Sequence, residues 1–175
     1  MPERILVAGI GNIFLSDDGF GPEVVRRFAE TRHDLAGLRV VDYGIRGMHL
    51  AYDLLEGYEA LVIVDAVPGG PDSRPGTLTL LEVGPDDLGE GDFDPHGMNP
   101  VAVLASLGAL GGTLPPTYVV GCSPASLEEN IGLSDPVAGA VDDAIVMTSR
   151  LVDDLLVPKA SAGGDVECAS GSPGR

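Results

Sequence analysis

Short apolar runs alternate along the chain with longer segments whose apolar residues recur at helical spacing. Short apolar runs that end at glycine or at an acidic residue are typical of strands buried in a sheet. These runs predict strands over residues 4–8, 38–41, 60–64, 77–83 and 117–120. Apolar positions three and four residues apart predict helices over residues 22–30, 48–55, 99–110 and 134–156.

This alternation predicts an α/β domain of three layers, a mostly parallel and twisted five-stranded sheet with helices on both faces. The predicted domain covers residues 1–157. Residues 158–175 hold almost no large apolar side chain, and we expect a disordered C-terminal tail there. Residues 82–96 show neither strand nor helix periodicity and contain six acids, so they predict a long acidic loop that is either simply solvated or functional.

Acidic residues far outnumber basic ones. With 27 Asp and Glu against 10 Lys and Arg, the net charge is −17 at pH 7. This charge repels phosphate backbones and anionic lipid surfaces, so we expect neither nucleic acid nor a membrane as a partner. It suits a cation, a metal ion or a basic peptide, and it is equally typical of a very soluble protein. No apolar run resembles a membrane span or a signal peptide, which predicts a cytoplasmic protein.

Residues with suggestive chemistry follow three of the predicted strands. Asp18 lies in the loop after the first strand, Asp65 ends the third, and His96 lies in the acidic loop after the fourth. Because ligands bind at the carboxyl ends of parallel strands, we expect these side chains to share one site. Two carboxylates and an imidazole suit a divalent transition metal. Taken singly, each has a simpler interpretation, as a helix cap, a turn residue and a solvated loop histidine.

A nucleotide site is less well supported. Gly9-x-Gly11 follows a strand, as in dinucleotide-binding domains, but Phe14 stands where the third glycine belongs. Asp17 and Asp18 precede the next helix, where their charges would repel a pyrophosphate.

A Ser or Cys nucleophile is also disfavoured. Cys122 and Ser123 follow the fifth predicted strand, but no G-x-S-x-G elbow surrounds them. Cys168 lies in the predicted tail, and two cysteines are too few for a disulfide framework or a structural zinc site.

Five motifs follow one another in a fixed order along the chain. They are GIGNIFLSDDGFG at residues 9–21, Asp42-x-Gly44-x-x-Gly47-Met48, Val64-Asp65-Ala66, Pro95-His96, and Pro124-x-Ser126-Leu127-Glu128 followed by Ile131-Gly132-Leu133-Ser134. In this combination the chain resembles the nickel–iron hydrogenase maturation endopeptidases, and the resemblance covers about residues 4–156, all of the predicted domain.

The resemblance implies an endopeptidase that removes the C-terminal extension from the precursor of a nickel–iron hydrogenase large subunit after nickel insertion. The family's metal-binding and catalytic residues match Asp18, Asp65 and His96. The implied cofactor is a divalent metal, nickel presented by the substrate, and the implied partner is the large-subunit precursor. The family fold, a twisted sheet between helices, agrees with the one predicted from the apolar pattern.

The turn after the second strand is the candidate substrate-binding segment. Gly44 and Gly47 let the backbone approach a ligand closely, and Arg46 lies between them. The guanidinium of Arg46 would hold a carbonyl or carboxylate of the precursor near the cleaved bond. The simpler interpretation is a surface arginine paired with a nearby acid.

Two mechanisms stay open at the level of sequence. In one, the substrate's nickel is gripped and a metal-polarised water or a carboxylate base attacks the nearby peptide bond. In the other, the metal only positions the substrate, and Asp18 or Asp65 is the general base. A relative that binds the precursor without cleaving it is a further alternative.

Overall fold

One sheet of five strands organises the protein. The computed structural model describes residues 4–88 and 100–158. Its strands are β1 (Ile5–Ile10), β2 (Leu38–Gly44), β3 (Ala60–Ala66), β4 (Leu78–Val83) and β5 (Thr117–Cys122). The strand order is β2-β1-β3-β5-β4, and only the pairing of β4 with β5 is antiparallel. The predicted mostly parallel, five-stranded sheet is confirmed.

The helices cover both faces of this sheet. They are α1 (Phe20–Arg32), α2 (Gly47–Leu54), α3 (Pro100–Ala109) and α4 (Asp135–Leu156), with 3-10 turns at Ser16–Gly19 and Pro85–Leu88. One apolar cluster joins alternate residues of β1 and β3 to α1 and α4, and a second joins the intervening residues to α2 and α3. The three layers predicted from the sequence are therefore present.

Central strands explain the continuous apolar runs of the sequence. Ile5 and Val7 of β1 face the first cluster, whereas Leu6 and Ala8 face the second. A strand covered on both faces needs apolar residues at every position, which is why no alternation is visible in it. Strands β1, β2, β3 and β5 extend two or three residues beyond their predicted ends, because backbone pairing continues through residues that carry no apolar pattern.

The direction of β4 corrects one expectation. The connection from β3 to β4 passes over the carboxyl end of β5, where Val67 N–H donates to Cys122 O and Gly76 N–H to Ser123 O. Since this connection never crosses a face of the sheet, β4 must return antiparallel. Strand β4 thus ends at the opposite, amino edge of the sheet, where its last residue pairs with the first residue of β5.

The acidic segment is not one uniform loop. Glu82 and Val83 still belong to β4, and Pro85–Leu88 form a 3-10 turn, contrary to the prediction of a loop over residues 82–96. Residues 89–99 lie outside the described part of the chain, as does the predicted tail beyond residue 158. Among the described helices, none combines the length and apolarity that crossing a membrane requires.

Candidate active site

The first turn of α1 packs directly on the carboxyl ends of the two central strands. A Cβ on Gly21 would lie 2.3 Å from both the Ile10 and the Val64 carbonyl oxygens, so only glycine fits there. At Gly11, whose φ is +142°, a Cβ would lie 1.8 Å from the Asp18 carbonyl oxygen. These glycines therefore serve close packing of helix on sheet. This role explains the glycine pattern without a dinucleotide.

Asp18 and Asp65 meet at this edge of the sheet. Asp65, near the end of β3, is only 6% exposed, whereas Asp18 is half-buried. Burial, followed by the negative charge of Asp18, raises the pKa of Asp65 to about 8, against a backbone hydrogen bond from Ala66 that lowers it. The Asp18 carboxylate accepts a 2.7 Å hydrogen bond from Asn12 N–H, which fixes its orientation. The carboxyl group of Asp65 in β3 thus interacts electrostatically with that of Asp18, in the 3-10 turn after the adjacent strand β1.

His96 lies outside the described residues, so two of the three predicted site residues have a described position. Within residues 4–88 and 100–158, no three His, Cys, Asp or Glu side chains are grouped closely enough to hold a metal ion. The prediction that the fourth strand leads into this edge is wrong, because β4 ends at the other edge, and the position of His96 stays a prediction.

Asp17 is a buried residue whose role the sequence did not reveal. Its fully buried carboxylate accepts hydrogen bonds from Ala125 N–H at 2.7 Å, Ser126 N–H at 3.1 Å and Ser134 N–H at 2.7 Å. Ser134 Oγ donates a fourth at 2.9 Å. Burial alone would raise the pKa of Asp17, but these hydrogen bonds outweigh it and lower the pKa below its ordinary value.

The starts of α1 and α4 have no side-chain caps. Neither Asp17 nor Asp18 caps α1, because its N-cap residue is Gly19, and no side chain caps the helix. Ser134 is the N-cap of α4 by position, yet its hydroxyl donates to Asp17 and not to the helix. The first and last sequence motifs are therefore two halves of one hydrogen-bonded unit.

A second set of hydrogen bonds extends this unit, which we call the paired loops (residues 12–19 and 124–134). Leu15 and Asn130 form an isolated parallel bridge, with Asn130 N–H donating to Phe14 O and Ser16 N–H to Asn130 O. Ser16 Oγ donates to Glu128 O at 2.8 Å, and Ser16 adopts a left-handed φ of +50°. The small polar residues common to both motifs were the only sequence signal for this pairing.

The turn after β2 is hydrogen-bonded to the residue that follows β1. Gly11 N–H donates to Gly44 O at 3.0 Å, and Gly44 has a φ of +54°. The exposed Arg46 turns back on the strand, donating from Nη2 to Asp42 O at 2.7 Å and from Nε to Tyr43 O at 3.2 Å. It forms no ion pair with any described acid, so the expected surface pairing is not seen in this part of the chain. Gly47 is buried as the first residue of α2.

The residues that follow β5 do not form a nucleophilic site. Burial, followed by the charge of Asp17, raises the pKa of the Cys122 thiol to about 11. Ser123 is buried, and its Oγ lies 2.6 Å from Ser73 Oγ, with no described histidine as a partner. This agrees with the sequence argument against a Ser or Cys hydrolase.

Comparison with known proteins identifies the family. The profile of the HycI family, hydrogenase maturation protease, matches residues 22–150. The chain is 38% identical over 152 residues to the hydrogenase expression/formation protein HupD of Rhodobacter capsulatus, covering 85% of this chain and 71% of that protein. It is 33% identical to the hydrogenase 2 maturation protease of Escherichia coli, covering 81% and 86%.

A solved structure agrees with the sequence relatives. The hydrogenase maturating endopeptidase HybD from E. coli superimposes with a TM-score of 0.70 at 29% identity, covering 86% of this chain and 93% of that one. The family assignment favours the peptidase interpretation over a nucleotide-binding domain or a non-cleaving chaperone. The chain belongs to the hydrogenase maturation protease family and is a peptidase that acts on a hydrogenase large subunit.

Proposed function

We propose that the protein removes the C-terminal extension of a nickel-loaded large-subunit precursor, and that Asp18, Asp65 and His96 bind the nickel that the precursor presents. The observation that carries the proposal is the buried carboxyl of Asp65, whose pKa is raised by its burial and by the charge of Asp18. Two carboxylates held together in this way repel each other unless a proton or a cation lies between them. An incoming divalent ion supplies that charge.

The remaining ligand is consistent with the course of the chain. His96 lies four residues before Pro100, the first residue of α3. Helix α3 ends close to the end of α2, since Leu107 and Leu55 both approach Gly112. Helix α2 starts after the carboxyl end of β2 and runs back toward the amino edge. The start of α3 therefore points toward the edge that holds Asp18 and Asp65, which is the direction that a third ligand requires.

The proton balance of this site makes cleavage depend on the metal. Without a cation, Asp65 is largely protonated at neutral pH, because its pKa is about 8. The nickel of the substrate lowers that pKa, so Asp65 releases its proton as the precursor binds. The ionised carboxylates then hold the nickel beside the peptide bond. In hydrolysis, water attacks the carbonyl carbon, a carboxylate takes its proton, and the proton passes to the leaving amine.

The turn after β2 is proposed to hold the substrate backbone. Gly44 and Gly47 leave room for a close approach, and Arg46 contacts a carbonyl or carboxylate of the precursor near the cut. The hydrogen bonds of Arg46 to two carbonyls of β2 support this role, because they orient the guanidinium on the edge that bears Asp65. We place the reaction in the cytoplasm, without nucleic acid or membrane, in keeping with the net charge of −17.

Incubation with a purified large-subunit precursor tests the proposal, with intact mass as the readout. We expect the nickel-loaded precursor to lose its C-terminal extension and the metal-free precursor to stay intact in the same buffer. Asp65→Ala should abolish cleavage while retaining the fold. Asp143→Ala is the matched control, since Asp143 is an exposed carboxylate on α4.

Three other results have distinct meanings. Efficient cleavage of the metal-free precursor would contradict the metal-dependent site and favour a conventional carboxylate peptidase. Binding of the loaded precursor without a change in its mass would indicate the non-cleaving chaperone. Global unfolding of Asp65→Ala would assign Asp65 a structural role.

A further inference from the structure

Large apolar side chains are exposed on the paired loops. Ile13 is 50% and Phe14 59% exposed on the first loop, and Leu127 is 47% and Ile131 71% exposed on the second. We call these four residues the apolar rim. Ile13 and Ile131 border one groove of about 570 Å³, which has Leu133 among its lining residues. Exposed apolar side chains gathered in this way mark an interaction surface.

The rim is held in place before any partner arrives. Asp17 and Ser16 bond the two loops through buried side chains, and Asn130 N–H donates to Phe14 O at 3.0 Å. A surface fixed in its bound geometry loses less conformational entropy on association. The rim therefore differs from a flexible loop that is exposed only because nothing packs on it.

Charge around the rim restricts the partner. Glu128 and Glu129 lie between Leu127 and Ile131, and both are exposed. Neither forms an ion pair with a described basic residue. A complementary surface therefore carries an apolar patch bordered by Lys or Arg side chains.

The position of the rim identifies the occupant. Ile13 and Phe14 lie on the same loop as Asp18, and the loop that carries Leu127 and Ile131 is hydrogen-bonded to it through Asp17. The rim is therefore next to the proposed active site. We infer that the apolar rim docks the body of the large-subunit precursor, through an apolar patch bordered by basic side chains, next to the site of cleavage. Four large side chains and a groove of this size exceed what one residue of the C-terminal extension would fill. This inference rests on the proposed function only in its choice of substrate.

Steady-state cleavage of the nickel-loaded precursor by rim variants is the test. Phe14→Ser and Ile131→Ser should each raise KM about tenfold, with a much smaller change in kcat, because they remove contacts made equally in the bound and transition states. Leu81→Ser on β4 and Val146→Ser on α4 are matched controls. These two side chains are 46% and 47% exposed and lie away from the loops. We expect their KM to equal that of the wild type.

A second measurement separates docking from chemistry. Binding of the loaded precursor to full-length protein carrying Asp65→Asn is measured by titration, with and without the rim substitutions. The dissociation constant should rise about tenfold with either rim substitution and stay unchanged with either control. A synthetic peptide that spans only the cleaved bond should be bound equally well by rim and control variants.

Equal KM and equal dissociation constants for rim and control variants would overturn the inference. A loss of peptide binding in the rim variants would also overturn it, since the rim would then contact the extension itself. Circular dichroism confirms that each variant is folded. If the wild type binds the precursor but does not cleave it, the proposed function fails while the titration still decides the role of the rim.

Discussion

The carboxylate of Asp17 and the backbone N–H of Ser134 are 117 residues apart in sequence and are joined by a 2.7 Å hydrogen bond. Ser134 directly precedes α4, and Asp17 lies in the turn that leads into α1, so this contact ties the starts of two helices together at the edge of the sheet. The next residue in the chain, Asp18, faces Asp65. The buried carboxylate of Asp17 thus fixes the loop that carries Asp18.

Asp17→Asn should destabilise the protein. An asparagine of the same size presents an NH₂ group where a carboxylate oxygen accepts hydrogen bonds, leaving buried N–H groups unpaired. We expect a loss of about 1–3 kcal/mol in the free energy of unfolding, measured by urea denaturation at pH 7. Asp143→Asn, at an exposed position of α4, is the control and should change it by less than about 0.5 kcal/mol.

The pH dependence of the Asp17 contribution has a defined sign. Because the folded pKa lies below the ordinary value of 3.8, the stabilisation is present above pH 3.8 and is lost as the pH falls through the folded pKa. The difference in the free energy of unfolding between the wild type and Asp17→Asn should therefore be full at neutral pH and become smaller in acid. A constant difference down to pH 2 would contradict the ionised, hydrogen-bonded carboxylate.

Asp65 should have the opposite effect on stability. Its pKa is about 8 in the folded protein against an ordinary value of 3.8, so its favourable contribution is present below pH 3.8 and is lost as the pH rises through 8. Asp65→Asn cannot ionise and should be more stable than the wild type at pH 9, by at least about 1 kcal/mol. The same variant should not process the precursor.

A divalent cation should restore the stability that the wild type loses when Asp65 ionises at high pH. Adding Ni²⁺ at pH 9 should raise the melting temperature of the wild type more than that of Asp65→Asn, since only the wild type has the second carboxylate. Wild-type and Asp65→Asn proteins with parallel stability curves from pH 5 to 9 would show that Asp65 is ionised throughout.

Gly21→Ala should be among the most damaging small substitutions. The new methyl carbon would lie 2.3 Å from the carbonyl oxygens of Ile10 and Val64. Neither strand can move away from it without breaking its pairing in the sheet. We expect a loss of about 1–3 kcal/mol or more, measured by thermal and urea unfolding. Gly139→Ala is the matched control, because its Cβ would meet nothing within 4 Å. In helix α4 it should stabilise by about 0.5–1 kcal/mol.

Arg46→Lys should weaken processing of the precursor about tenfold or more, because a charged hydrogen bond of this kind contributes about 1.5–3 kcal/mol. Lysine keeps the charge but loses the planar fork that grips a carbonyl or carboxylate. Arg46→Ala should be at least as impaired. The exposed Arg150 of α4 provides the control, and Arg150→Lys should process normally. Unchanged processing by both Arg46 variants would show that Arg46 is a solvated surface residue that does not contact the precursor.

Local sequence pattern was sufficient to predict nine of the elements, because apolar periodicity directly reflects which side chains are buried. It placed all five strands and the four helices on the correct segments. Asp18 and Asp65 lie at one edge of the sheet, and the metal site expected there stays a prediction. The motif order was sufficient to identify the family. Pattern did not place the ends of strands, since backbone pairing in Ile10 or Cys122 does not depend on side-chain polarity.

Only the tertiary structure decided the direction of β4 and the partners of Asp17. The apolar pattern of an edge strand is the same whether the strand runs parallel or antiparallel to its neighbour. The direction of β4 depends on the path of residues 67–77 over the end of β5. Local sequence does not reveal the partners of Asp17, because an acid that precedes a helix is commonly its N-cap. These partners lie more than 100 residues away, where the chain returns to the same edge. The local pattern of apolar residues indicates which side chains are buried. Hydrogen bonds between residues far apart in sequence form only when the chain is folded, so the local pattern does not predict them.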